Sequence, residues 1–126
     1  MKIYLILEKC FNENFSWIGY SSDQKFFLYK DLEYAEQTVR RKTIELFRDL
    51  VENKEYAILD YEIGYRKKVQ AFVNKHSILE NIPDCPSTED ILDEIAKTDN
   101  FIIEYLRITD LSFYDIKETE FDDILA

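Results

Sequence analysis

At 126 residues the chain has room for one well-filled core and not for two comfortable domains. Hydrophobic residues make up 46% of it and aromatics 15%, which excludes disorder as a whole-chain description; no apolar run approaches the ~20 residues of a membrane span. The formal charge is −10, and with only 2 Gly and 2 Pro the chain lacks the glycine-rich loops that cradle phosphates and cofactors.

Residues 2–8 are apolar without interruption from Ile3 to Leu7, which predicts a short strand covered on both faces. The run is closed by Glu8 and Lys9, too short and too soon charged for a secretory signal. Residues 15–20 and 25–30 are aromatic and β-prone on either side of a turn-like polar stretch, so the first 30 residues read as a meander of two or three strands. Asp31 stands where an N-cap would open the longest helix, about 32–52. Its apolar stripe is expected at Leu32, Ala35, Val39, Leu46, Phe47 and Leu50, with Glu33, Glu36, Arg40, Arg41, Glu45, Arg48 and Asp49 on the wet side.

In 56–63, Ala57, Leu59, Tyr61 and Ile63 alternate with Tyr56, Ile58, Asp60 and Glu62, a period of two that predicts a half-buried strand. A second strand near 67–73, beyond Gly64, would complete a hairpin. Both prolines fall in the loop 82–87, after which Ser87 and Asp90 have capping-box spacing for an acidic helix of about 88–98. Residues 101–108 and 112–117 read as two further strands, and 118–126 as a short acidic tail. The expected fold is therefore α+β: a single domain over 1–117, with a mostly antiparallel sheet of four to six strands packed by the long helix and the shorter acidic one.

Motifs for chemistry are missing. His76 is the sole histidine, and Cys10 and Cys85 are far apart with no nucleophile signature and no zinc-ligand spacing. Gly19 and Gly64 stand alone, so no dinucleotide, P-loop or nucleophile-elbow motif can be drawn. No catalytic, cofactor or metal residue is assigned, and a non-enzymatic protein is expected. The two cysteines read as free thiols of a cytoplasmic protein. Two basic triplets, Arg40-Arg41-Lys42 and Arg66-Lys67-Lys68, could grip phosphates, but the summed field of −10 repels a polyanion, so neither nucleic acid nor membrane is expected as a partner.

The charge is unevenly placed. Residues 1–79 carry 13 Lys/Arg against 12 Asp/Glu, a balance of +1, whereas residues 80–126 carry 3 against 14, a balance of −11. Glu89 and Asp93, and Asp90 and Glu94, are like charges four apart on the acidic helix, an arrangement that costs a few tenths of a kcal/mol per pair and is partly offset at a helix N-terminus. Solubility is the plain use of such charge. Its functional use is a negative surface for a basic protein partner, with Glu89, Asp90, Asp93 and Glu94 and the tail residues Asp122 and Asp123 as candidate partner-binding positions.

The stretch Phe121-Asp122-Asp123-Ile124 resembles the acidic C-terminal tips of bacterial single-strand DNA-binding proteins. It ends in Leu125-Ala126 where those tips end in Pro-Phe, and the match is assigned to chance. Size and charge together point to a small acidic protein-binding inhibitor of the immunity-protein or phage anti-defence type. The alternatives are a structural or oligomeric interaction protein, whose basic triplets meet acidic tails of other copies, and a small enzyme with no recognisable motif.

Overall fold

A computed structural model describes residues 2–12, 14, 16–21, 27–81, 84 and 86–120. The chain divides into two compact units: one of residues up to Thr43 together with those from Ser112 onward, the other of Ile44–Leu111. The class is α+β: the strands lie in the first unit, which also holds the first part of the longest helix, and the other helices lie in the second.

In the first unit, strand β1 (Lys2–Phe11) is the centre of the sheet. It buries Ile3 and Leu7 on one face and Ile6 on the other, as its uninterrupted apolar run requires. Strand β4 (Tyr114–Glu120) runs antiparallel along one edge, from Lys2 opposite Glu120 to Glu8 opposite Tyr114. Strands β2 (Trp17–Tyr20) and β3 (Phe27–Tyr29) share the other edge, β2 against Lys9, Cys10 and Phe11 and β3 against Tyr4, Leu5 and Ile6. The pleat accounts for this: the Lys9 amide donates to Phe113 on the β4 side, whereas the Glu8 carbonyl accepts from Ser21 on the other. The sheet therefore has four strand segments but is three strands wide, narrower than the four to six expected. Between Cys10 and Phe11 the register slips, leaving Ile18 without an opposite residue, and Gly19 takes a φ of +138° that side-chain-bearing residues rarely adopt.

Helix α1 (Leu32–Glu52) has the expected bounds, and Asp31 caps it by accepting from the Glu33 amide at 2.9 Å. The buried stripe is rotated from the expected one. Ala35, Thr38, Thr43, Ile44, Phe47 and Leu50 are buried, Val39 and Leu46 are half-buried, and Leu32 is exposed. Thr38 can face inward because its hydroxyl donates to the Tyr34 carbonyl at 2.9 Å, a pairing that hydrophobic periodicity does not register.

The second unit is helical throughout, which corrects three expected strands. Residues 56–63 contain the 3-10 turn Tyr56–Ile58 and the start of another, Ile63–Tyr65, and of the alternating set only Leu59 is buried. The expected strand near 67–73 lies in α2 (Arg66–Lys75), where Val69, Phe72 and Val73 are buried at i, i+3 and i+4. Residues 101–108 belong to α4 (Asp99–Ile108), which buries Ile102, Tyr105 and Leu106 at the same spacing. Helix α3 (Thr88–Ile95) starts where the capping box places it and ends three residues before the expected 98.

This unit's core joins Phe47, Leu59, Leu92, Ile95, Ile102 and Tyr105, with the Phe47 and Tyr105 rings edge-on at 6.0 Å. The Tyr105 hydroxyl satisfies itself inside the core by donating to the Leu59 carbonyl, and burial pushes its pKa well above the usual tyrosine value. Arg48 on α1 donates through Nε to the Ala96 carbonyl at 2.9 Å and pairs with Asp99, tying α1 to the α3–α4 connection. No helix among the described residues is long and apolar enough to cross a membrane.

Candidate functional site: the acidic helix and its groove

Three of the four candidate acids on α3 already have work within their own unit. The Asp90 carboxylate accepts from the Ser87 amide at 3.0 Å while the Ser87 hydroxyl accepts from the Asp90 amide at 3.2 Å, a reciprocal cap that satisfies two otherwise orphaned donors. Asp93 accepts from the Tyr56 hydroxyl at 2.8 Å. Glu94 pairs with Lys97 at 2.7 Å. Glu89 is exposed, with no ion pair or side-chain hydrogen bond among the described residues. Asp122 and Asp123 lie outside the described residues. Glu118 and Glu120, placed by the sequence in the same tail, belong to β4, where Glu118 pairs with Lys2 at 3.3 Å.

The start of α3 and the 3-10 turn at Tyr56 enclose an open groove of about 580 Å³, lined by Lys54, Tyr56, Ala57, Asp60, Ser87, Thr88 and Glu89. The volume is that of a ligand-sized cleft, but the walls are mixed polar and apolar. Tyr56 stands at the centre of its electrostatics. Its pKa is raised first by the hydrogen bond to Asp93, then by partial burial, then by the negative field of Asp93, Glu89 and Asp90. The phenol is therefore neutral at physiological pH, with its proton held by Asp93 and its oxygen lone pairs left to accept. Carboxylates, a phenol oxygen and hydroxyls make a lining rich in acceptors, with Lys54 as its one cation among the described residues. Among the described residues no group of His, Cys, Asp and Glu could hold a metal ion.

The fold thus gathers Glu89, Asp90 and Asp93 around Tyr56 and turns Glu94 toward Lys97. Sequence reasoning missed Tyr56, Asp60 and Lys54 as members of this site because it placed them in or beside a strand. Their approach to α3 spans some thirty residues and leaves no local trace.

Two other features stand apart. The His76 ring lies against Phe72 (5.1 Å) and Phe101 (4.8 Å), and its Nε2 sits 3.3 Å from a Glu104 carboxylate oxygen in a geometry too poor for a hydrogen bond. Cys10 is a half-buried thiol on β1, and Cys85 lies outside the described residues. On β2, Trp17 and Ile18 are 51% and 65% exposed, with Tyr20 beside them. The Trp17 ring is nonetheless held: its indole N–H donates to the Gly19 carbonyl at 3.0 Å, Lys9 lies 5.1 Å from its centroid, and Tyr20 packs edge-on at 5.6 Å while donating to Asp115.

No family model, curated protein or solved structure matches the chain.

Proposed function

We propose that this protein is a small, non-enzymatic inhibitor that works in the cytoplasm by covering a basic surface of another protein, in the manner of immunity and phage anti-defence proteins. The observation that best supports the reading is the groove at α3, where Glu89 and Asp60 have no ion pair among the described residues and stand beside an acceptor-rich lining. The charge of the helical unit adds to it: Ile44–Leu111 carries 8 Lys/Arg against 15 Asp/Glu, a balance of −7. Such a field draws a basic partner in from a distance, raising the association rate more than the final affinity, and it fades as the Debye length falls from about 10 Å at 0.1 M salt to about 3 Å at 1 M.

The test is affinity capture from the source cell at low salt, followed by stopped-flow association of the captured protein with wild type and with the double variant Glu89→Gln, Glu94→Gln. Asp90 and Asp93 are kept, because one caps α3 and the other holds Tyr56. The expected result is a basic partner whose association slows in the variant and at high salt. A neutral or acidic partner, or an association rate indifferent to both changes, removes the reading.

The exposed, mutually packed rings of Trp17 and Tyr20 favour a second reading, an interaction protein that assembles through aromatic contacts. That reading predicts loss of the complex on Trp17→Ala with the salt response intact.

A further inference from the structure

We infer that the groove between residues 54–60 and the start of α3 seats one arginine or lysine side chain projecting from the basic partner, an inference that rests on the reading just given. The acids of the helical unit differ in what they already hold. Asp90 is occupied by the cap, Asp93 by Tyr56, Glu94 by Lys97, Asp99 by Arg48, and Glu104 by Arg107. Asp60 and Glu89, the two carboxylates on the groove wall, have no ion pair or side-chain hydrogen bond among the described residues. They come from different segments of the chain, so a cation between them would be gripped from two directions.

The neutral lining groups match the same guest. The Tyr56 hydroxyl directs its hydrogen at Asp93, and what it offers the groove is an acceptor oxygen. Thr88 adds a hydroxyl oxygen. A guanidinium or ammonium has only donors to offer, so the two inventories are complementary. The open form of the groove suits a side chain arriving on a protein surface together with its flanking backbone.

Lys54 makes the inference sharply testable. Among the described residues it is the only cation on the wall and offsets one of the two carboxylates, so an incoming cation must work against it. Removing Lys54 should therefore tighten binding. Removing Lys97, which pairs with Glu94 and is not part of the groove lining, should not.

The experiment is a titration of the isotope-labelled full chain with the acetylated, amidated tripeptide Gly-Arg-Gly, and separately Gly-Lys-Gly, followed by amide NMR shifts at low salt. Saturable shifts confined to residues 54–60 and 87–89 are expected, with binding weakened about fivefold by Asp60→Asn or Glu89→Gln. Lys54→Ala should tighten it, and Lys97→Ala should leave it unchanged. Unsaturated shifts scattered over the acids of the chain, or equal tightening by Lys54→Ala and Lys97→Ala, would overturn the inference. The two ideas fail separately. If the peptide seats in the groove but the captured partner is not basic, the inhibitor reading falls and the groove stands. If a basic partner binds wild type and Asp60→Asn alike while peptide shifts do not localise, the groove falls and the inhibitor reading stands.

Discussion

The sheet unit and the helical unit solve the same burial problem in opposite ways. The helical unit buries or half-buries its large apolar side chains, from Phe47 to Leu106, and among the described residues leaves only Ile63 conspicuously exposed, so its surface is free to carry charge. The sheet unit buries Ile3, Ile6, Leu7, Ala35 and Phe113 but leaves Trp17, Ile18, Tyr20, Leu32 and Tyr34 in contact with water. Excess negative charge and exposed aromatic surface are thereby housed in different parts of one chain. The contrast also separates what stabilises from what is available for binding: a residue held in the core is spoken for, and a rigid exposed one is not.

The sharpest way to break this contrast is at the helical core. Phe47 is fully buried against Tyr105, so Phe47→Ala should cost about 3–5 kcal/mol in urea unfolding. Leu46, half-buried, should cost clearly less on truncation to Ala. Equal losses would mean that the buried face of α1 has been misassigned.

Next in size is Tyr105→Phe, which leaves the Leu59 carbonyl buried without its donor and should cost about 1–3 kcal/mol. It also has a pH signature. Burial raises the Tyr105 pKa, so the folded chain holds this proton more tightly than the unfolded one does. Its contribution is fully present below about pH 10, where tyrosines in the unfolded chain begin to ionise, and then declines by roughly 1.4 kcal/mol per pH unit until the folded pKa is reached. Stability curves of wild type and Tyr105→Phe should converge between pH 10 and pH 12; parallel curves would show that the hydroxyl is not buried.

Smaller still is the cap. Ser87→Ala removes one half of the reciprocal pair and should cost about 1 kcal/mol by thermal or chemical unfolding. Smallest of all, Trp17→Ala in the sheet unit should shift stability by about 1 kcal/mol or less, because half of that ring is already in water. A loss as large as that of Phe47→Ala would erase the distinction between the two units.

How much of this could be read from the sequence depended on whether the signal was local. The α1 bounds, the Asp31 cap and the Ser87/Asp90 box were legible because each is decided within a few residues. The strands β1 to β4 were visible as apolar or aromatic runs, although the width of the sheet was not, since the sharing of one edge by β2 and β3 depends on long-range register. Helices α2 and α4 were hidden by composition. Val69, Phe72 and Val73, like Ile102, Tyr105 and Leu106, have helical spacing, but their β-branched and aromatic content speaks for strand, and tertiary packing overrides such propensity. The acidic residues of the candidate site were legible as charge. Their separation into occupied and unoccupied groups was not, because Tyr56 reaches Asp93, and Lys54 joins Glu89 in the groove lining, only in three dimensions.

The slip at Ile18 has a consequence for how this protein survives at high concentration. An edge strand that shows Trp, Ile and Tyr to water is the kind of segment that recruits further strands and seeds fibrils. Here the ladder is interrupted after the Lys9–Tyr20 and Cys10–Gly19 pairs, and Gly19 bends the backbone into a conformation that a flat, stacking strand cannot share. The chain can therefore display its stickiest side chains without offering a template on which copies of itself could grow.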